Sequence, residues 1–299
     1  MKSKRILYIV GAIFLFLCLA IITTSVIGYL YLQDQPPNPL ADSGYYIRRT
    51  KVFYFPGFGL AEAFEIKGAD PATFLVLDNG YALDDKRVYF DGVPIVDADP
   101  TSFEVFDSLF ARDARHVYVG DRLFSNDPVN LEHVQGIIYR DSQHVYWSTS
   151  IISDDPANLV VLESSDAYTY LRDSTTVYVN GAAINGADPV SFEVIAYAYS
   201  QDATHVFYFR DEIPNADSTS FEALEPPYAR DAFSVYWMGQ AISGANPLTF
   251  RVLNANFECS ADDAHAYYQD QIIPNFDPAD LPADANIIGC SASGLNVTP

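Results

Sequence analysis

The sequence predicts an all-β repeat array of stacked hairpins that follows one N-terminal transmembrane helix. Three observations lead to this prediction: an uncharged stretch near the N-terminus, two short motifs that recur in step, and no long amphipathic segment among the repeats. A helix that packs on a core shows apolar residues at intervals of three and four, and the repeated part has no such stretch. The array is expected to be solenoid-like, and a closed β-propeller is the alternative geometry.

The first element is the uncharged stretch from Ile6 to Leu32, which is long enough to cross a bilayer. Residues 1–5 contain three basic side chains, and basic flanks stay in the cytoplasm. We therefore expect residues 1–5 inside and the remaining chain outside. A cleaved signal peptide is the alternative, but its apolar core is usually shorter and ends in small residues. Residues 33–44 are rich in proline and predict an extended linker.

The second element is an array of eight copies, placed at residues 45–285, with about 29 residues per copy. One motif centres on an aspartate, here called the turn aspartate, with an aromatic residue or its equivalent five positions later. A second motif, usually Asp-Pro with Phe or Leu four residues after the Asp, recurs in step with the first. Two independent signals with one period indicate a single array, followed by a tail at residues 286–299. The turn aspartates are Asp84, Asp113, Asp141, Asp173, Asp202, Asp231 and Asp262.

Each copy is expected to contain short strands joined by tight turns. The segments on either side of the turn aspartate suit strands, and the aspartate side chain can bond backbone amides of the turn between them. Asp91-Gly92 and Asn180-Gly181 are typical of two-residue hairpin turns. The second motif predicts a single helical turn with the aspartate as N-cap, and a further strand follows it.

Two aromatic positions in each copy have different expected roles. The residue five positions after the turn aspartate, as in Tyr89, is expected in a core shared by neighbouring copies, because one unit cannot bury that face alone. The next residue, as in Phe90 or Trp147, alternates onto the opposite face. If exposed, these second rings would form a stacking platform for a ligand.

The stretch from Asp84 to Gly92, together with Ala98 to Val105, resembles the DKNYY family of bacterial repeat proteins. The resemblance covers residues 45 to about 285. The name-giving lysine is present at Lys86 and loosely at Lys51, and the other copies carry other residues nearby. The resemblance implies an exported bacterial repeat protein and supplies no catalytic residue. With the basic flank, it leads us to expect a single-pass protein of the bacterial cytoplasmic membrane, N-terminus inside and repeat domain outside.

The acidity of the chain limits its partners. The 17 basic and 39 acidic residues give a formal net charge of −22, which argues against nucleic acid. Calcium is the one cofactor that the acidity suggests, and a calcium site needs about six to eight converging oxygens. No Asp-x-Asp-x-Asp-Gly loop is present. We therefore expect the turn aspartates to be structural and no cofactor to be bound, with calcium as the minor alternative.

Cys259 and Cys290 are the cysteines outside the uncharged stretch. In an oxidising exterior they can form a disulfide that closes the C-terminal end of the array. The three cysteines of the whole chain exclude a disulfide-dense scaffold.

The expected function is that of a non-enzymatic binding or scaffold module for an envelope protein or glycan. No recognisable catalytic motif is present, such as Gly-x-Ser-x-Gly or His-Glu-x-x-His, so no catalytic residue is assigned. The alternative is a structural spacer that self-associates, and a calcium-binding or enzymatic role comes third. Contact with the membrane is expected through Ile6–Leu32.

Overall fold

The computed structural model describes residues 2–38, 41–57, 59, 61–165, 167–281 and 286–298, without the side chains of residues 2–15, 18 and 286. Residues 39–40 of the expected linker and 282–285 at the end of the expected array lie outside this set, as do the basic side chains of residues 1–5. The chain divides into two compact units, Met1–Leu131 and Glu132–Pro299.

The first element is a helix, α1, over Lys2–Gln33, which confirms the helix expected at Ile6–Leu32. In the part of the chain that the structure describes, no helix combines the length and apolar character needed to cross a membrane. The membrane-spanning part of the prediction therefore has no support from the described residues. Several contacts join the linker after α1 to the first sheet: Asp34 accepts from the amide and the hydroxyl of Thr50, and the Gln35 carbonyl accepts from Arg48.

The first unit contains three antiparallel sheets, in the orders β1-β2-β3, β4-β5-β6-β7 and β11-β10-β9-β8. The strands are β1 (Gly44–Ile47), β2 (Val52–Phe55), β3 (Phe64–Glu65), β4 (Leu75–Val76), β5 (Tyr81–Leu83), β6 (Val88–Phe90), β7 (Val93–Pro94), β8 (Glu104–Val105), β9 (Ala111–Arg112), β10 (Val117–Val119) and β11 (Arg122–Ser125).

The second unit contains five four-stranded antiparallel sheets, each of four consecutive strands in chain order from β12 to β31, and a final hairpin, β32-β33. The strands are β12 (Glu132–Gln135), β13 (Ile138–Arg140), β14 (Val145–Trp147), β15 (Ser150–Ser153), β16 (Val160–Ser164), β17 (Thr169–Arg172), β18 (Val177–Val179), β19 (Ala182–Ala183), β20 (Glu193–Ala196), β21 (Tyr199–Gln201), β22 (Val206–Tyr208), β23 (Asp211–Glu212), β24 (Glu222–Ala223), β25 (Tyr228–Arg230), β26 (Val235–Trp237), β27 (Gln240–Ala241), β28 (Arg251–Asn254), β29 (Cys259–Ala261), β30 (Ala266–Tyr268), β31 (Gln271–Ile272), β32 (Asn286–Ser291) and β33 (Gly294–Thr298).

The repeating unit is thus a four-stranded meander rather than a hairpin alone. The expected hairpin forms the two middle strands, and the strand after the second motif pairs with it on one edge, as β24 pairs with β25. The all-β prediction is confirmed, and the meander suits both the stacked array and the propeller that the sequence allows. Below, a copy means one second motif and the sheet that follows it.

The core lies between consecutive sheets within each unit. The ring of the second motif packs between two rings of neighbouring sheets: Phe103 lies 5.4 Å from Tyr81 and 5.8 Å from Tyr118, centroid to centroid. The same arrangement recurs around Phe221 in the second unit. Tyr118 is 2% exposed and its counterparts in other copies are equally buried, so the expected shared aromatic core is confirmed.

The second motif matches its prediction in two copies. It forms a single 3-10 turn at Pro156–Asn158 and Pro278–Asp280, and a turn without helix in the other copies. The aspartate bonds the backbone in both forms: Asp99 accepts from the amide of Thr101, and Asp277 accepts from the amide of Ala279, each two residues later.

The region assigned to a tail, residues 286–299, contains the hairpin β32-β33. Ile287 is buried, and Cys290 and Leu295 pack against the apolar residues of the last four-stranded sheet. The sequence alone predicts no helix or strand here, because the repeat motifs stop before this segment.

Candidate functional site

The recurring polar chemistry of the array is concentrated at the turn aspartates. In Asp113, one carboxylate oxygen, Oδ1, accepts hydrogen bonds from the backbone N–H groups of Arg115 and His116 at 2.7 and 2.8 Å. The other oxygen, Oδ2, accepts from the Tyr118 hydroxyl and from the Asp99 amide, both at 2.9 Å. One buried carboxylate thus joins its own turn, the core tyrosine and the second motif of the same copy.

This arrangement repeats through the array. All seven turn aspartates accept from the amides two and three residues later, and all are at most 6% exposed. Six also accept from the tyrosine hydroxyl five residues later. Every turn aspartate is thus hydrogen-bonded within its own copy, and its purely structural role stays a prediction.

In two copies a serine hydroxyl accepts the bond from the second motif. Ser153 donates its hydroxyl to Oδ2 of Asp173 at 2.6 Å and accepts from the amide of Asp155 at 3.0 Å. Ser125 likewise accepts from the amide of Asp127 at 3.0 Å. In five other copies the amide of the second motif bonds the turn aspartate directly.

The hydrogen bonds govern the ionisation of these carboxyls. Burial opposes the charged form of Asp113, but the bonds from the Asp99 and Arg115 amides and the Tyr118 hydroxyl outweigh it, so its pKa lies below the usual value. The pKa is lowered for the same reasons in Asp84 and Asp262. These groups stay ionised near neutral pH and serve as acceptors rather than as general acids.

Arginines that the sequence analysis did not single out join one copy to the next. Arg230 donates from Nε to Glu222 on the neighbouring strand at 2.5 Å and from Nη1 to the carbonyl of Pro247, in the following copy, at 2.9 Å. Arg140, Arg112 and Arg172 make the same kind of bond to a proline carbonyl. The signal was present in the sequence as an arginine directly before the turn aspartate in four copies.

The second aromatic position does not form an open platform. Phe90, Trp147 and Tyr208 are half-buried, and each packs on a turn glycine of the next copy. A Cβ on Gly181 would lie 2.3 Å from Cγ of Trp147, and one on Gly239 would lie 2.6 Å from Cβ of Tyr208. The exposed-platform prediction is therefore wrong, because the stacked neighbour covers much of each ring.

Cys259 and Cys290 are free thiols. The Cys259 thiol donates to the carbonyl of Phe257 at 3.5 Å, and the Cys290 thiol donates to the carbonyl of Tyr267 at 3.8 Å. Interaction with Cys290 and burial raise the pKa of Cys259, whereas interaction with Cys259 lowers the pKa of Cys290. Cys290 packs against the apolar residues of the last four-stranded sheet, to which Cys259 belongs, and the disulfide stays a prediction.

No metal centre is formed by the described side chains: none of them make a group of three or more His, Cys, Asp or Glu residues suited to an ion. In Asp113, for example, both carboxylate oxygens already accept two hydrogen bonds each. A calcium ion at such a position would have to displace these donors.

The four-stranded copies and their shared aspartate motif define a β-repeat protein. The model of the DKNYY family matches residues 45–211 and 209–271, which is more than half of the chain. The chain therefore belongs to the DKNYY family, as the resemblance of Asp84–Gly92 indicated. No curated protein and no solved structure matches it.

Proposed function

We propose that the protein is a non-enzymatic binding scaffold that presents its array to an envelope protein or glycan. The observation that carries the proposal is the use of the recurring polar groups. The turn aspartates are not available to a ligand, because backbone amides and tyrosine hydroxyls already donate hydrogen bonds to their carboxylate oxygens. What varies from copy to copy is the surface, and repeat arrays use such extended surfaces for recognition.

Two exposed apolar side chains of the second unit provide positions at which the surface can be probed. Val190 and Leu248, each directly after the proline of a second motif, are 84% and 86% exposed. Single exposed apolar residues are common on proteins, so they serve here as sites for a probe and not as an interface.

The proposal includes anchoring of the protein in a bacterial cytoplasmic membrane, with the array outside. It is supported by the sequence alone: 27 uncharged residues at Ile6–Leu32 follow three basic ones. Cell fractionation and external protease treatment test it. The protein is expected in the membrane fraction with its array digested in intact cells, and recovery of a protected array contradicts this topology.

Photo-crosslinking of the full-length protein in its own cells tests the binding role. A photoreactive residue is placed at Val190 in one variant and at Leu248 in another, and the chain without it is the control. The proposal predicts a dominant adduct with one protein or glycan at one of the positions. Adducts with the chain itself alone favour the spacer that self-associates, and no adduct at either position contradicts binding by this surface.

A further inference from the structure

A cleft of about 410 Å³ lies between two consecutive copies in the second unit, the sheets β12–β15 and β16–β19. Trp147 and Ile138 contribute to its lining from the first sheet, beside the β12-β13 turn at residues 135–137. Ser164, Ser165, Ala167, Thr169 and Asn180 line it from the second sheet. The volume falls within the range of about 300–1,000 Å³ that small-ligand sites occupy.

An insertion builds one wall of this cleft. The segment from Leu159 to Arg172 spans 13 positions, against nine from Leu131 to Arg140 in the copy before. Within this segment Ser165 donates its hydroxyl to the carbonyl of Tyr168 and accepts from the Tyr168 amide, both at 3.1 Å. Asp166, between them in the chain, lies outside the described residues. The longest spacing in the array, 33 residues between second motifs, therefore has a structural consequence at this cleft.

The side chain of Asn180 fixes the same wall. Its Oδ1 accepts from the Thr169 amide at 2.9 Å, and its Nδ2 donates to the carbonyl of Ala167 at 3.0 Å. The hydroxyls of Ser164 and Thr169 lie 3.1 Å apart. A pre-formed wall reduces the ordering cost of binding, because the groups that meet the ligand are already in place.

The described part of the lining carries no charge. None of its ten residues is acidic or basic, although charged residues are 19% of the chain. The lining offers an indole ring, hydroxyls and amides, and the exposed amide of Gln135 makes no hydrogen bond within the described protein. A ligand that matches this lining is neutral, has hydroxyl groups at its rim and presents an apolar C–H face to an aromatic ring. A pyranose sugar has these properties.

We propose that the cleft beside Trp147 binds a neutral oligosaccharide. The inference deepens the proposed function, since it assigns the ligand class at one position of the scaffold. Anionic saccharides are disfavoured, because the ten described lining residues include no cation and the chain carries a net charge of −22.

The chain contains two tryptophans, Trp147 in the cleft and Trp237 at the same repeat position of another copy, so fluorescence separates the sites. In full-length W237F, Trp147 is the sole tryptophan, and its emission is followed during titration with chitotetraose, maltotetraose and anionic sialyllactose. We expect a saturable change with at least one neutral probe and none with sialyllactose. In W147F, the emission of Trp237 should stay constant.

A milder substitution keeps the reporter and the packing of the ring. Gln135→Ala in the W237F background should raise the half-saturation concentration about fivefold, the loss expected for one hydrogen bond. Gln271→Ala, at another exposed strand position, is the matched control and should leave it unchanged. Equal weakening by both variants contradicts a role for Gln135 in the site.

No saturable change with either neutral probe, or an equal change in W147F, overturns the saccharide proposal. Melting temperatures of both tryptophan variants show that each is folded. The photo-crosslinking result is independent of this titration, so failure of the cleft and failure of the scaffold are distinguishable.

Discussion

A single carboxylate closes each turn of the array, and Asp202 shows which partner can be replaced. In this copy Phe207 stands where six other copies have a tyrosine, so no hydroxyl reaches the carboxylate from the core. Nδ1 of His205 lies 3.3 Å from Oδ2 of Asp202, and the amide of Asp188 keeps its bond at 2.9 Å. The bonds from the amides two and three residues later are thus constant, while the hydroxyl bond varies.

The neighbouring copies provide a matched pair of substitutions for the hydroxyl. Tyr236→Phe removes the 2.7 Å bond to Asp231 without changing the ring and should lower the free energy of unfolding by about 1.5–3 kcal/mol. Phe207→Tyr adds a hydroxyl near Asp202 and should raise it by about 1 kcal/mol. Urea unfolding of both variants against the parent protein measures the two changes.

Unchanged urea midpoints in both variants would show that the hydroxyls contribute only by packing. If Phe207→Tyr lowers the free energy of unfolding as much as Tyr236→Phe does, the copy that contains Asp202 has no room for the added hydroxyl.

The lowered carboxyl pKa values predict a pH dependence of stability. A carboxyl whose pKa is lower in the folded than in the unfolded chain stabilises the fold above the unfolded value of about 3.9 and loses this effect as the pH falls through it. Asp113 and Asp262 are such groups. The urea midpoint should be flat near neutral pH and fall steeply below about pH 4.

Asp113→Asn provides the control for this dependence. The amide keeps one acceptor oxygen but turns a donor toward the Tyr118 hydroxyl and the Asp99 amide, so the variant should be less stable at pH 7 and show a shallower acid loss. An acid transition of the same steepness in this variant would assign the pH dependence to other groups.

The sequence predicted half of each aspartate site. The bonds from Asp113 to the amides of its own turn are local, and such bonds follow from residue type and position. The bonds to Tyr118 and to Asp99, 14 residues earlier, depend on how strands pair in space. The fixed spacing of five residues between the aspartate and a tyrosine was the available signal. It predicted a core position for the tyrosine ring but no bond from its hydroxyl to the carboxylate.

At the scale of elements, ring-on-glycine contacts couple one sheet to the next. Gly181→Ala should destabilise the protein by about 3 kcal/mol or more, because the new Cβ would lie 2.3 Å from Trp147 and the backbone has a positive φ of 76°. Gly186→Ala has a similar φ of 85° but meets no atom within 4 Å, and it should cost only about 1–2 kcal/mol. Thermal melting of the two variants measures the difference.

The backbone strain is common to both glycine variants, so their difference reports the contact with the ring. Equal destabilisation by Gly181→Ala and Gly186→Ala would contradict a close contact between the turn and Trp147.

Short strands and two-residue turns were predictable because their signals are local. Asn180-Gly181 forms the expected turn, with positive φ at both residues. The pairing of the strand after the second motif into a four-stranded sheet was not, because register between strands is a tertiary property. The cleft beside Trp147 was also beyond sequence reasoning, since the 33-residue spacing marks an insertion but not the space beside it.

The terminal hairpin gives a prediction about its cysteines. Oxidation of the full-length protein with oxidised glutathione should join Cys259 and Cys290, since both are free thiols and lie close enough to shift each other's pKa. The loop of about 30 residues should gain roughly 3 kcal/mol in the chain-entropy model. Non-reducing mass spectrometry should find loss of the two thiol hydrogens, and a rise in melting temperature should accompany it.

Cys290→Ser is the control for oxidation, and its melting temperature should not respond to the oxidant. Two free thiols after prolonged oxidation of the parent protein would contradict the disulfide.

At the scale of the whole molecule, the acidic residues fall into two groups. The turn aspartates are buried and hydrogen-bonded within the fold, while the exposed acids give the surface its negative charge. Calcium would require carboxylate oxygens that converge on one point, whereas the oxygens of Asp231 converge on amides and on Tyr236. The turn aspartates therefore add hydrogen bonds to the aromatic core of the repeats, and the proposed recognition would fall to the surface.

Thermal melting of the full-length protein with calcium and with EDTA tests this claim most directly, with Asp231→Asn measured beside the parent. We predict the same melting temperature for the parent in both solutions, and a lower temperature for Asp231→Asn that is also independent of calcium. A higher melting temperature with calcium that Asp231→Asn abolishes would show that the turn aspartates bind the ion and would contradict their structural role.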